Sequence, residues 1–230
     1  MGTIAVVGSG AWGTASACHA ANLGHEVGMW ALEAEVDEQK NAEHSNSIYL
    51  KDQDLPENLR ASSDPAEVVS GAEMVLLVPP SKYLRSVSRL VADAIPKTAV
   101  VAVASKGIEE GTLQLMSEVL AETMPDLGPE RLSFLSGPSF AKEVARGLPT
   151  DVAVSSVEMT AANTAPRAVR PETWTYASGR TAALEGQLLD RDCLERLAEA
   201  DSPSTVTAAL GDSPLRAELG AVSYTHLRAH

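Results

Sequence analysis

The chain has 230 residues, 2 cysteines and a formal net charge of −13. That length holds one sizeable core, or one domain plus part of another, and the negative charge argues against a nucleic-acid surface, which needs a basic patch. No run of about twenty apolar residues occurs, so no membrane span is expected. Met1 leads almost directly into an apolar strand, without the basic region and cleavable segment of a signal peptide. Cys18 and Cys193 are too few and too far apart for a disulfide framework, so a reducing, cytoplasmic setting is expected. The 5 histidines show no ligand spacing with cysteine or carboxylate, and no metal site is expected.

In chain order, the apolar run Ile4-Ala5-Val6-Val7 predicts a strand. It runs straight into Gly8-Ser9-Gly10-Ala11-Trp12-Gly13, after which a helix is predicted over 11–23. In a G-x-G-x-x-G turn the first glycine allows a tight exit from the strand. The second lets a pyrophosphate approach the backbone, and the third lets the helix pack closely on the strand. The helix N-terminal amides then face the phosphates. The motif alone is a weak signal, and its position between strand and helix makes it credible. The competing reading is a glycine-rich turn that binds nothing. Trp12 reads as structural or cofactor-packing, and Cys18 as a small hydrophobe facing the sheet.

A second strand is predicted over 25–30 and a polar helix over 33–43, then an irregular stretch over 45–59. Asp64 is placed to cap a short helix ending near Val69. Met74-Val75-Leu76-Leu77-Val78 is a continuous apolar run, as expected for a strand buried on both faces, and Pro79-Pro80 ends it. A helix with Leu84, Val87, Leu90, Val91 and Ile95 on its apolar face follows. Another buried strand is predicted over 99–103, an amphipathic helix over 112–124, and short strands over 132–135 and 151–154. Alternating strands and helices predict an α/β fold, a Rossmann-type doubly wound parallel sheet with right-handed crossovers.

The composition changes near Ser156. All lysines of the chain (Lys40, Lys51, Lys82, Lys97, Lys106 and Lys142) precede it, and the segment after it has no isoleucine or phenylalanine. A helix over 181–200 is the one periodic feature there, and a core is hardly possible. The expected organisation is a Rossmann domain over 1–156 and a poorly ordered tail over 157–230.

In open parallel sheets ligands bind beyond the carboxyl ends of the strands. Three polar groups of residues fall there: the glycine turn, Ser105-Lys106-Gly107-Ile108-Glu109, and Ser136-Gly137-Pro138-Ser139-Phe140-Ala141. Lys106 at a strand end can bind a phosphate or polarise a carbonyl oxygen; the competing reading is an ordinary solvated lysine. Gly137 allows close backbone approach and the Ser139 hydroxyl can donate to an oxyanion, or the segment is a simple turn or helix cap. Glu33, twenty residues past Gly13, is placed to bind the ribose hydroxyls of NAD, or is a helix N-terminal acid favoured by the macrodipole. No arginine lies in 31–39 to pair with a 2′-phosphate, so the residues lean to NAD over NADP. His25, at a strand start, reads as a turn residue.

Taken together, these blocks resemble the bacterial NAD(P)-dependent glycerol-3-phosphate dehydrogenases. The resemblance rests on Gly8 to Ala15, on Asn46 with Tyr49-Leu50, and on Leu55-Pro56-Glu57-Asn58-Leu59. It continues with Ser105 to Glu109, Leu135 to Ala141, and Glu143-Val144-Ala145-Arg146-Gly147-Leu148-Pro149-Thr150. It implies hydride transfer between NAD or NADP and C2 of dihydroxyacetone phosphate, giving sn-glycerol 3-phosphate for glycerophospholipid synthesis. It implies that the glycine turn (Gly8, Ser9, Gly10, Gly13) holds the pyrophosphate and that Ala11, Trp12 and Ala141 contact cofactor. Lys106 would touch cofactor and substrate, and Gly137 and Ser139 would bind substrate. A homodimer is implied for the intact family enzyme.

Three departures stand out. Leu32 replaces the usual Arg or His near the end of strand two, and Pro79-Pro80-Ser81-Lys82 replaces a Val-Pro-Ser-Gln pattern. The family's all-helical C-terminal domain, whose Gly-Gly-Ala-Leu-Lys-Asn-type motif supplies the proton-transfer lysine, has no trace after Ser156. No catalytic residue is therefore assigned. The Ala, Arg, Thr and Pro bias of the tail, and its adapter-like last residues Val222 to His230, suit an off-frame translation; the expectation is a frameshifted, truncated and inactive copy of the enzyme. The alternatives are a related two-domain dehydrogenase of hydroxyacids or sugar acids, which the Ser136 to Ala141 block disfavours, and a non-catalytic NAD-binding module.

Overall fold

The computed structural model of the protein describes residues 2–32, 45–46, 50–136, 139–148, 150–156 and 174–179. Glu33 and the helix expected over 33–43 lie outside the described residues, as do Gly137 and, apart from 174–179, the tail after Ser156 with its expected helix. The N-terminal part reads β1 (Thr3–Val7), α1 (Ala11–Asn22), β2 (Glu26–Trp30), β3 (Ser45–Asn46), β4 (Leu50–Asp54), β5 (Leu59–Ser62) and α2 (Pro65–Val69). It continues with β6 (Met74–Leu77), α3 (Ser81–Val91), β7 (Val100–Val103), α4 (Met116–Thr123) and β8 (Leu132–Ser136). The last described elements are α5 (Ala141–Ala145), β9 (Thr150–Ser155) and β10 (Trp174–Gly179).

Eight strands form one sheet in the order β10-β9-β8-β7-β6-β1-β2-β5, and β3 and β4 form a separate hairpin. β1 pairs in parallel with both β2 and β6. The chain thus builds outward from β1 through β2 and β5, then returns to β1's other side at β6. That reversal opens a crevice at the carboxyl ends of β1 and β6. The continuous apolar runs follow from burial on both faces. Ile4, Val6, Met74 and Leu76 pack into the core on the α1 and α5 side. Ala5, Val7, Val75 and Leu77 pack into the core beneath α2, α3 and α4, with Leu84, Val91 and Leu120. Side chains two apart in a strand share a face, so each run supplies both cores at once. Asp64 caps α2 as expected, its carboxylate accepting from the Ala66 amide at 2.9 Å.

The structure corrects several boundaries. Leu90 is exposed rather than on the buried stripe of α3, which is Leu84, Val87 and Val91, and Ile95 is buried beyond the helix end. The stretch expected to be irregular over 45–59 carries, among its described residues, β3 and β4, which pair antiparallel, and leads into β5. The helix expected over 112–124 starts only at Met116, because the Glu118 carboxylate accepts from the Leu115 amide at 2.8 Å and Leu115 bridges back to Ile108.

The sheet is parallel through β8, but β9 runs antiparallel to it, with Leu135 opposite Val154. A parallel return would need the connection to carry the chain back along the whole strand, usually with a helix of matching length. α5 has 5 residues, about 7.5 Å of rise, so the chain re-enters the sheet from the end at which it left. β10 pairs in parallel with β9, an element that no periodicity announced. No helix among the described residues is long and apolar enough to cross a membrane.

Candidate functional site

Each glycine of the first turn has a distinct steric reason. Gly8 has φ +124°, a conformation that side chains disfavour, and a Cβ there would lie 3.3 Å from the Val78 carbonyl carbon. A Cβ on Gly13 would meet the Gly8 carbonyl oxygen at 2.0 Å, so α1 crosses the end of β1 too closely for any side chain. A Cβ on Gly10 would have nothing within 4 Å. Gly8 and Gly13 therefore serve the fold, while Gly10 faces open space at the first turn of α1. No side chain caps that helix end, which leaves its amides and the positive end of its dipole for an anion.

The turn is also held from a distance. Asn46, fully buried in β3, donates through Nδ2 to the Thr14 hydroxyl at 2.7 Å and to the Ser9 carbonyl at 3.3 Å. Thr14 in turn donates to the same Ser9 carbonyl at 3.1 Å. Asn58 does the corresponding work at the other end of α1, donating to the Ala21 carbonyl at 2.8 Å and the His25 carbonyl at 2.7 Å. Both asparagines came from the stretch expected to be irregular. His25 behaves as a turn residue, its Nδ1 accepting from the Gly2 amide at 3.2 Å.

Sheet order places the other two groups on the same edge. β6 separates β1 from β7, and β8 follows β7. With strands about 4.8 Å apart, Lys106 follows a strand about 10 Å from β1, and Ser139 one about 15 Å away. Lys106 is half-buried, and burial lowers its ammonium pKa below the ordinary lysine value. Its loop is tied to the loop after β6, because the Ser105 hydroxyl donates to the Pro79 carbonyl. Further along, the Arg85 guanidinium of α3 forks onto both carboxylate oxygens of Glu109 at 2.8 Å. That contact holds the Glu109 carboxyl below the usual carboxylate range. The Arg85 anchor was not evident in the sequence, since the partners lie 24 residues apart.

Two polar atoms near this edge are buried without a partner among the described residues: Trp12 Nε1 and Ser139 Oγ. Buried donors are almost always hydrogen-bonded, so an orphan on the uncapped first turn of α1, near the open Gly10, and a second past the end of β8 fit a polar ligand such as a dinucleotide. Trp12 and Ala141 both pack against the core on the α1 side, and α1 and α5 pack on each other. The structure thus brings together Gly8 to Gly13 with Ala141, and sets Lys106 and Ser139 along the same edge. Cys18 is buried and free, with its thiol pushed up to about 12 by burial, as a small hydrophobe would be. No cluster of ligating side chains able to hold a metal occurs among the described residues.

Comparison with known proteins gives the same assignment. A family profile described as the NAD-dependent glycerol-3-phosphate dehydrogenase N-terminus matches residues 3–162. The glycerol-3-phosphate dehydrogenase [NAD(P)+] of Brucella ovis is 47% identical over 164 residues, 71% of this chain and 48% of the relative. The enzyme of that name from Syntrophotalea carbinolica is 43% identical over 161 residues, 70% and 48% of the two chains. The chain spans about half the length of these curated relatives. Among solved structures, glycerol-3-phosphate dehydrogenase from Coxiella burnetii superposes with a TM-score of 0.72 at 25% identity, over 93% of this chain and 74% of that one. The Plasmodium falciparum enzyme gives 0.69 at 26%, over 77% and 52%. With the profile covering more than half of its residues, the chain belongs to the family of NAD-dependent glycerol-3-phosphate dehydrogenases and carries that family's N-terminal region.

Proposed function

We propose that the protein supplies the cofactor-binding half of a glycerol-3-phosphate dehydrogenase, which reduces dihydroxyacetone phosphate to sn-glycerol 3-phosphate with NADH or NADPH. When bound, the cofactor supplies the hydride that adds to the carbonyl carbon. In this reading Gly8, Ser9, Gly10 and Gly13 hold the pyrophosphate at the α1 terminus, while Ala11, Trp12 and Ala141 contact the cofactor. Lys106 reaches both cofactor and substrate. Its ammonium neutralises developing negative charge on the substrate, in a half-buried setting where that interaction is stronger than in water. Gly137 and Ser139 bind substrate. The observation that carries the proposal is the pair of orphaned buried donors, Trp12 Nε1 and Ser139 Oγ, at the edge that also presents the uncapped α1 terminus.

NAD is the preferred cofactor in this proposal. Leu32, exposed just past the end of β2, offers no charge to a 2′-phosphate, and Glu33 is assigned the ribose hydroxyls. The relatives' names supply glycerol 3-phosphate, and the family resemblance dihydroxyacetone phosphate and the homodimer. The free, buried Cys18 suits a reducing cytoplasm. Residues 1–156 are the dinucleotide-binding domain in this proposal, with β10 (Trp174–Gly179) added in parallel beside β9. The family's proton-transfer lysine has no counterpart in these residues. A positioned proton donor is worth about 10²–10⁴-fold in rate, so the 230 residues by themselves are expected to bind cofactor with negligible turnover. Fluorescence titration with NADH and NADPH, with and without dihydroxyacetone phosphate, tests this. Saturable binding with NADH favoured is expected; absence of binding to either nucleotide overturns the proposal.

A further inference from the structure

The loop between β7 and α4 goes against its own sequence. Its amphipathic pattern from Thr112 onward suits continuation of α4, yet the helix starts at Met116 and Leu113 sits at φ +57°. A non-glycine residue in that region is uncommon and unfavourable. Where local preference is overridden, something at a distance is holding the chain, and such conflicts concentrate at functional sites. Besides the Glu118 cap on Leu115 and the Ile108–Leu115 bridge, the distant holder is Arg85. Beyond its fork on Glu109, its guanidinium donates to the Gln114 side chain and to Glu122 at 2.6 Å. Glu109 is completed by the Thr112 hydroxyl at 2.6 Å. Glu109 and Gln114 are loop residues, so the arginine gathers the loop instead of merely decorating α3. A rigid, planar fork fixes direction as well as distance, which a lysine cannot do. At its other end the loop is pinned to Pro79 by Ser105, and Lys106 is the first of the three residues between Ser105 and Glu109.

We propose that Arg85 is a positioning residue for Lys106: through its fork on Glu109 it holds the β7–α4 loop so that Lys106 keeps its half-buried place at the carboxyl edge of the sheet. The functional consequence rests on the reading of Lys106 as a cofactor and substrate contact; the positional claim does not. The lowered pKa of Lys106 accords with that enclosed place.

Two measurements on the full 230-residue chain test the proposal. The first needs no ligand. The lysines are reductively methylated with ¹³C and titrated by NMR, with Lys106→Met identifying the Lys106 signal. Lys106 is expected to titrate below the ordinary lysine value in the wild-type chain and to move up towards that value in Arg85→Met. Arg85→Lys keeps the charge without the fork and is expected to restore little. Glu109→Gln breaks the fork from the other side and is expected to reproduce Arg85→Met, which keeps the test decisive where one variant folds poorly. An unchanged Lys106 titration in folded Arg85→Met or Glu109→Gln overturns the proposal.

The second measurement is a double-mutant cycle on NADH affinity. Lys106→Met is expected to weaken binding about tenfold, and Arg85→Met about three- to tenfold, the range for a displaced contact. In the Lys106→Met background Arg85→Met is expected to change nothing further. Additive losses would make the arginine a general scaffold and overturn its action through Lys106. If Lys106→Met leaves NADH affinity unchanged, the functional reading of Lys106 fails, and the ligand-free titration still decides whether Arg85 positions it.

Discussion

The glycine turn after β1 and the lysine loop after β7 lie on the same edge of the sheet and are held by opposite means. The glycine turn is fixed mostly by what is missing: Gly8 and Gly13 have no side chain, and their backbones approach where any Cβ would collide. The lysine loop is fixed by what is added, an arginine from α3 with four hydrogen bonds to the side chains of three residues. The first solution is written into six consecutive residues and leaves no room for a side chain at Gly13 and little at Gly8. The second is spread over residues 24 to 37 positions apart and can be loosened by degrees. Asn46 is the intermediate case, a distant side chain that secures the otherwise local glycine turn.

Substitutions can break or sharpen that contrast. Gly13→Ala has the largest expected effect. Its Cβ would sit 2.0 Å from a backbone oxygen, so strand and helix must separate, at a cost of about 3 kcal/mol or more. Urea unfolding checks it, and a loss below about 1 kcal/mol would mean that the turn is not sterically locked. Asn46→Ala comes next. It withdraws a buried donor from Ser9 and Thr14, for an expected loss of about 1–3 kcal/mol together with weaker NADH binding. Normal affinity in a destabilised Asn46→Ala protein would separate the fold from the shape of the turn.

The arginine fork gives a pH-dependent contrast. Because Arg85 lowers the Glu109 carboxyl, its stabilisation is present above the ordinary carboxylate pKa of about 4. It is lost as pH falls through the lowered folded value. Denaturant unfolding of wild type and Arg85→Met should therefore differ near neutral pH and converge in acid. A gap independent of pH would argue against the ion pair. The smallest expected effect on stability is that of Gly10→Ala. Nothing lies within 4 Å of its Cβ position, and its φ of −65° suits any residue, so stability should change by under about 0.5 kcal/mol. NADH affinity should nonetheless fall, and an unaffected affinity would remove Gly10 from the pyrophosphate site.

Much of the fold was legible because it depends on short-range rules. Runs such as Ile4 to Val7 and Met74 to Leu77 declare strands buried on both faces, and the stripe of Leu84, Val87 and Val91 declares a helix. The steric demands of Gly8 and Gly13 could be read from spacing alone. The reading failed where a distant partner overruled local preference. Residues 112–115 look helical and are held in a loop, 45–46 and 50–54 look irregular and pair as β3 and β4, and Leu90 looks like core and faces water. Glu33 and Gly137 lie outside the described residues, and their assigned roles remain part of the proposal.

By itself the sequence determined the α/β class, the glycine turn and the family blocks, since these follow from side-chain periodicity and from stereochemistry within a few residues. Only the tertiary structure decided that β9 turns against the sheet, that Asn46 braces the glycine turn and that Arg85 anchors the loop carrying Lys106. A strand's direction depends on which end of the sheet its connection returns to. A fork between a guanidinium and a carboxylate depends on two helices and a loop meeting within 3 Å, which packing fixes and periodicity does not.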